Sequence, residues 1–327
     1  MININPVISS LIVRSTSTEK AIVIGQKSYT YQNIYEDSRK LATYLSSMGI
    51  QSGDTALVAT SSSYQFILIF YASILLKVKI AIIDPEIDNE AYLAKIDQLN
   101  PQWAFIDRKL LFLQEHDLLK KISPNRGINN IDLPSNREMK IIATGAWRPL
   151  MRSYQHFEQY KIHPTYDIDP SFIDHEYIIS YTSTGIDTMS STLHTLGTIA
   201  YSINFISRTV QDAEQKSFTT HLPHFIMVGI SAGLTLKLWN DHWTAEKKIE
   251  FIASQKISVL SVAQKVLNEL IEFCKIQKRM LPNCIEHIIL DTSVENNNDM
   301  TAIEEYFSEN TKITMMYSKA DHLYEVY

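Results

Sequence analysis

Hydrophobic positions along this chain change period at regular intervals, and the changes mark out a series of alternating elements. Short apolar runs, bounded by turn residues, read as strands: Ala21–Ile24, Thr55–Ala59, Ile80–Ile83, Trp103–Ile106, Ile141–Ala143, Glu176–Tyr181, Phe218–Thr220, Thr235–Trp239, Val259–Val262, His287–Asp291 and Lys312–Tyr317. Between them lie longer segments with apolar residues three and four apart. In Tyr31–Met48, for example, Ile34, Ser38, Leu41, Leu45 and Met48 share one helical face, and Gly49 follows as the stop. Further helices are expected over Tyr64–Leu76, Asn89–Leu99, Gly197 to about Asp212, Thr244–Lys256, Gln264–Lys278 and Met300–Ser308. The opening strand turns through Gly25-Gln26-Lys27-Ser28 into Tyr29-Thr30 as a hairpin. Strand–helix–strand repetition of this kind implies an α/β fold with mainly parallel sheets flanked by helices. The rhythm fades from Lys120 to about Asp174, which suggests two subdomains, residues 1–174 with a crossing segment and residues 175–327.

Composition narrows the functional classes. The 327 residues are 45% hydrophobic and 20% charged, as in an ordinary globular protein. A net charge of −6 with no basic run argues against nucleic acid as a partner. The apolar run Phe66–Leu76 is too short to span a bilayer and reads as a buried helix. No transmembrane segment and no leader are read, so a cytoplasmic location is expected. Cys274 and Cys284 lack metal-ligand spacing, as do the ten histidines. Neither a Gly-x-Ser-x-Gly elbow nor a Gly-x-Gly-x-x-Gly turn is present, which removes support for hydrolase and dinucleotide readings.

Two segments carry candidate chemistry. The first, Tyr181-Thr182-Ser183-Thr184-Gly185-Ile186-Asp187-Thr188-Met189-Ser190, is a hydroxyl-rich loop after a strand. Backbone amides in such loops can close around phosphate. The second, Tyr317-Ser318-Lys319-Ala320-Asp321, follows the last expected strand. Between them lies Thr220-His221-Leu222-Pro223-His224-Phe225-Ile226-Met227-Val228-Gly229.

In this order and spacing the segments resemble the adenylate-forming (AMP-binding) acyl-CoA ligase family. In that family the first loop reads Tyr-Thr-Ser-Gly-Ser-Thr-Gly-x-Pro-Lys-Gly and the second Tyr-Gly-x-Thr-Glu. The opening hairpin, the helix after it and the Gly53-Asp54 turn resemble the family's opening, while Ile82-Ile83-Asp84-Pro85, Pro282–Ile289 and the run Tyr317–Val326 are most similar to the long-chain acyl ligases, with the β-lactone-forming ligases of olefin biosynthesis as the nearest suggested relatives. The resemblance implies the N-terminal core of an adenylation domain without the C-terminal domain. It implies ATP and Mg as cofactors, with Thr182, Ser183, Thr184, Gly185 and Tyr317 at the nucleotide and Asp321 at the metal. It implies His224, Phe225 and Gly229 at an acyl pocket, with Gly229 leaving room for a chain; for a lone histidine such as His224, an ordinary satisfied loop role is the more usual reading.

The departures from the family pattern are chemical. In the ungapped alignment Thr184 takes a glycine position, Asp187 another, and Ser190 stands where the lysine belongs. A gapped alignment pairs Thr184-Gly185 with the family's Thr-Gly and restores no lysine. A triphosphate would therefore meet a carboxylate and no cation in the loop. The resemblance thus implies a truncated, degenerate ligase homologue (acid–thiol ligase or acyl-adenylate-forming type), a pseudoenzyme impaired in acyl adenylation that keeps acyl-, fatty acid- or partner-binding. Two alternatives stay open: an active acyl-adenylating half completed by a separate chain, and a structural interaction protein. A partner chain or a second copy is expected at the face where relatives continue.

Overall fold

The first thirty-five residues fold with the far end of the chain. In the computed structural model the described residues are 6–60, 64–82, 89–108, 111, 139–145, 155–162, 174–181, 191–220, 222, 225–240, 243–292, 305–319 and 322–326. In chain order they form α1 (Pro6–Val13), β1 (Lys20–Ile24), β2 (Lys27–Thr30), α2 (Tyr31–Ser47), β3 (Thr55–Ala59), α3 (Tyr64–Leu76), β4 (Lys79–Ala81), α4 (Asn89–Leu99), β5 (Trp103–Asp107), β6 (Lys140–Thr144) and β7 (Gln155–His156). A 3-10 helix (Phe157–Ile162) precedes β8 (Glu176–Tyr181), β9 (Ser191–Thr195), α5 (Leu196–Val210), β10 (Ser217–Thr220), α6 (Ile226–Ala232) and β11 (Thr235–Leu238). The series ends with α7 (Ala245–Ser254), β12 (Val259–Ala263), α8 (Gln264–Gln277), β13 (His287–Thr292), β14 (Lys312–Lys319) and β15 (His322–Val326).

The chain divides into the unit Glu36–Gly197 and a discontinuous unit of Met1–Tyr35 with Thr198–Tyr327. The sequence-based boundary after residue 174 therefore shifts at both ends. β1 pairs in parallel with β11, Ile22 opposite Leu236, which draws the opening hairpin into the later unit. The Tyr31 hydroxyl donates to the Leu234 carbonyl at 3.0 Å in a buried site, and the Arg14 guanidinium lies 5.5 Å from the Tyr31 ring centre. β8 pairs with β4, which keeps β8 and β9 in the other unit.

Glu36–Gly197 holds a sheet in the order β7-β6-β5-β3-β4-β8-β9, parallel except for the antiparallel pair β8/β9. α3 is buried nearly all round, from Phe66 to Ile74, which is why its sequence carries no polar stripe. The Tyr177 hydroxyl donates to the Phe70 carbonyl at 2.7 Å and ties β8 to this helix. Leu57, Tyr92, Ile96, Ala104, Ile106, Leu111 and Ala143 form a core cluster between sheet and α4. Among the described residues no helix is long and apolar enough to cross a membrane.

The other unit holds a sheet in the order β15-β14-β13-β12-β10-β11-β1-β2, antiparallel only at its two edges. Ile249, Ile252, Leu267, Leu270 and Ile271 of α7 and α8 pack with Leu260, Val262, Ile288 and Leu290 of the sheet. Cys274 lies in this core, and both cysteines are free thiols. The Met300–Ser308 helix expectation falls partly outside the described residues; Glu305 and Tyr306 form a turn.

The link from α5 to β10 is tied down by charge. The Glu286 carboxylate accepts the amides of Glu214 (2.7 Å) and Gln215 (3.2 Å). Asp212 sits between Lys312 (2.8 Å) and the buried His287 (3.2 Å). The Lys312 hydrogen bond holds the Asp212 carboxyl below the usual carboxylate range. Burial pushes His287 below its ordinary value of 6.5, with Asp212 opposing. The unfolded chain therefore binds a proton at His287 more readily than the folded one. Its contribution to stability is complete above 6.5 and is lost as pH falls from there through the folded value. Urea midpoints are expected to drop between pH 7.5 and 5, and to drop less in His287→Gln. An equal drop in both proteins would remove His287 from the pH response.

Candidate nucleotide and acyl site

Open α/β sheets place ligands outside the carboxyl ends of their parallel strands. In the discontinuous unit this edge is formed by the ends of β10, β12, β13 and β14. Register fixes who meets there: Thr220 lies opposite Ser261, Ala263 opposite Asp291, Asp291 opposite Met316, and Thr292 opposite Tyr317. The backbone of Tyr317 and the segment leaving Thr220 thus share one edge, although 97 residues of sequence separate them. Three strand spacings, about 14 Å, lie between them. Tyr317 also pairs with Glu325 of β15, a strand that carries no signal in the sequence reading.

The expected acyl residues that are described pack inside the protein. Phe225 is fully buried, and its amide donates to the Leu222 carbonyl at 3.1 Å. Gly229 lies in α6 against the ring of Phe218 on β10. A Cβ built there would stand 2.4 Å from Phe218 Cδ1. The space that this glycine leaves is taken by the chain's own phenylalanine. Thr182, Ser183, Thr184, Gly185, His224 and Asp321 lie outside the described residues, and of Tyr317 only the backbone is described.

Residues 182–190 connect β8 to β9, whose antiparallel pairing sets Tyr181 opposite Ser191. β9 leads directly into α5. Its N-terminal end is already engaged. The Gly197 amide donates to Asp174 Oδ1 at 2.9 Å, and a Cβ on Gly197 would reach within 3.0 Å of that carboxylate. The positive end of α5 is therefore answered from within the chain.

Two buried hydroxyls near the carboxyl edge escape sequence reasoning. Thr219 Oγ1 and Ser261 Oγ have no hydrogen-bond partner and belong to adjacent strands. Nothing in a single Thr or Ser of a strand distinguishes it from a satisfied one. Among the described residues no group of three His, Cys, Asp or Glu side chains gathers as a metal site.

Residues 12–318 match the AMP-binding enzyme family. The chain belongs to that family. It is 21% identical over 262 residues to 2-succinylbenzoate--CoA ligase of Bacillus licheniformis, covering 78% of this chain and 48% of the relative. The chain therefore spans about half the length of the curated relative it matches. Among solved structures, o-succinylbenzoate CoA synthetase of Bacillus subtilis aligns over 97% of this chain and 59% of its own length, with a TM-score of 0.71 at 14% identity. A benzoate CoA ligase of Burkholderia xenovorans LB400 gives a TM-score of 0.72 at 12% identity, over 97% of this chain and 61% of its own. These likenesses establish the α/β adenylate-forming fold. The Bacillus subtilis synthetase has also been solved in complex with ATP and magnesium ion.

Proposed function

We propose that this family member is a degenerate acyl-CoA ligase homologue, impaired in ATP-dependent adenylation, that retains binding of a carboxylic acid or of a partner protein. The observation that carries the reading is the charge of the loop between β8 and β9. From Thr182 to Ser190 it contains one carboxylate, Asp187, and no lysine or arginine. Phosphate oxygens need charge-assisted donors, and a carboxylate among them is repulsive. These residues do not fit a triphosphate, and no catalytic step is built on one.

Relatives bearing the names of CoA ligases supply the substrate class: a small carboxylic acid, aromatic or aliphatic. The test is ATP–pyrophosphate exchange by this chain with succinylbenzoate, benzoate and fatty acids, alongside calorimetry with Mg-ATP. Exchange at background level, with an acid still detected by native mass spectrometry, is the expected result. Exchange above background with any acid would replace this reading by that of an active adenylating protein.

A further inference from the structure

At the amino-terminal edge of the same sheet, opposite the edge that carries Tyr317, lies a cavity of about 400 Å3. It opens between the starts of β10 and β11 and the last turn of α7. Lys216, Lys237 and Lys256 line it with Thr235, Ser254 and Gln255, and no carboxylate does. In a chain of net charge −6, three lysines thus line one hollow.

Their partners are neutral. Lys216 Nζ donates to the Gln211 carbonyl at 2.6 Å, and Lys237 Nζ to the Gln255 carbonyl at 2.5 Å. Carbonyl oxygens, even at helix ends, offset part of a formal charge and leave the remainder. The Glu286 carboxylate close by is occupied by the amides of Glu214 and Gln215. Lys237 is half-buried, and burial together with the neighbouring Lys20 pulls its ammonium below the ordinary lysine value. An anion in the hollow would offset the charge that burial and Lys20 make costly at Lys237.

We propose that this cavity binds a small phosphate-bearing metabolite with two or more negative charges. The donors are lysines, which act as point charges suited to tetrahedral phosphate. No arginine lines the cavity. Thr235, Ser254 and Gln255 add neutral donors at the rim, and the volume admits one small molecule. None of its lining residues belongs to the segment 182–190, so the proposal does not depend on the reading of that segment.

The probe is inorganic tripolyphosphate, titrated calorimetrically into the full chain at 150 mM salt, where scattered surface lysines bind weakly. One saturable site is expected, with amides of residues 215–217 and 254–256 protected from hydrogen exchange on binding. Lys216→Gln with Lys256→Gly should weaken it at least tenfold. Lys256 has φ of +50°, so glycine there removes the charge without straining the backbone. Adding Lys237→Met should abolish binding. Absence of saturable binding, an affinity unchanged in the lysine variants, or protection appearing at residues other than these would each overturn the proposal.

Discussion

Replacing Asp187 by glycine and Ser190 by lysine is expected to tighten Mg-ATP binding by roughly 10- to 100-fold, from one hydrogen bond to a charged oxygen worth about 1.5–3 kcal/mol. The double substitution removes the loop's carboxylate and restores the ammonium that the family pattern puts there. Asp187→Gly should give the smaller share, by relieving repulsion and removing a Cβ where backbone approaches phosphate. Ser190→Lys should give the larger share. Ser190→Ala should leave affinity unchanged, since it adds no charge. Calorimetry at two salt concentrations decides the matter: the gain should shrink as ionic strength rises, because it is electrostatic in origin. If the double variant binds no better than the parent, the loop is not the phosphate cradle, and the reading of the protein as charge-impaired at this loop falls. If the parent already binds at micromolar concentration, the same reading falls from the other side.

The parts of the fold that could be read in the sequence are those specified by local pattern. Strands such as Thr55–Ala59 and Val259–Ala263 are buried on both faces in parallel sheets, so their apolar runs are continuous and unmistakable. α2, with its amphipathic stripe, and α3, apolar all round, announced themselves for opposite reasons. What escaped was set by distance or by brevity. The pairing of Ile22 with Leu236 joins residues more than two hundred apart, and no local signal marks β1 as belonging with β11 rather than with its chain neighbours. α6 is one short apolar helix whose burial on the sheet erases any polar face, so it reads as loop. β9 is a polar strand, Ser191–Thr195, with only Leu193 apolar, and its pairing with β8 is a tertiary matter. The helix expected from Gly197 to about Asp212 is present as α5, and β9 comes before it in the chain. The edge shared by the end of β10 and the backbone of Tyr317 is likewise set by the register of four parallel strands, which no local pattern marks.

Gly229→Ala is expected to destabilise the protein by about 1–3 kcal/mol, the usual cost of overpacking a filled core. The sign is the informative part. At an exposed position inside a helix, alanine in place of glycine gains about 1 kcal/mol. At Gly229 the new methyl would stand 2.4 Å from Phe218 Cδ1 and 3.0 Å from Phe218 Cε1, on a ring that is fully buried on β10. Neither the ring nor α6 can retreat without opening the contact between helix and sheet, since the Ser207 hydroxyl ties α5 to α6 through the Val228 carbonyl at 3.1 Å. Urea unfolding should show a lower midpoint with an unchanged slope. Phe218→Leu is the partner test: it removes ring atoms beside the new methyl, so the double variant should be more stable than the two single losses added together, a coupling of neighbours in contact. The outcome also bears on function. A stabilising Gly229→Ala would mean that the glycine's hydrogen faces open space, and the acyl pocket implied by the family order would return to this wall of α6. A destabilising one, rescued by trimming Phe218, assigns the glycine to the packing of α6 on β10, and carboxylic acid binding must then be sought from the segment between Thr220 and Phe225 instead.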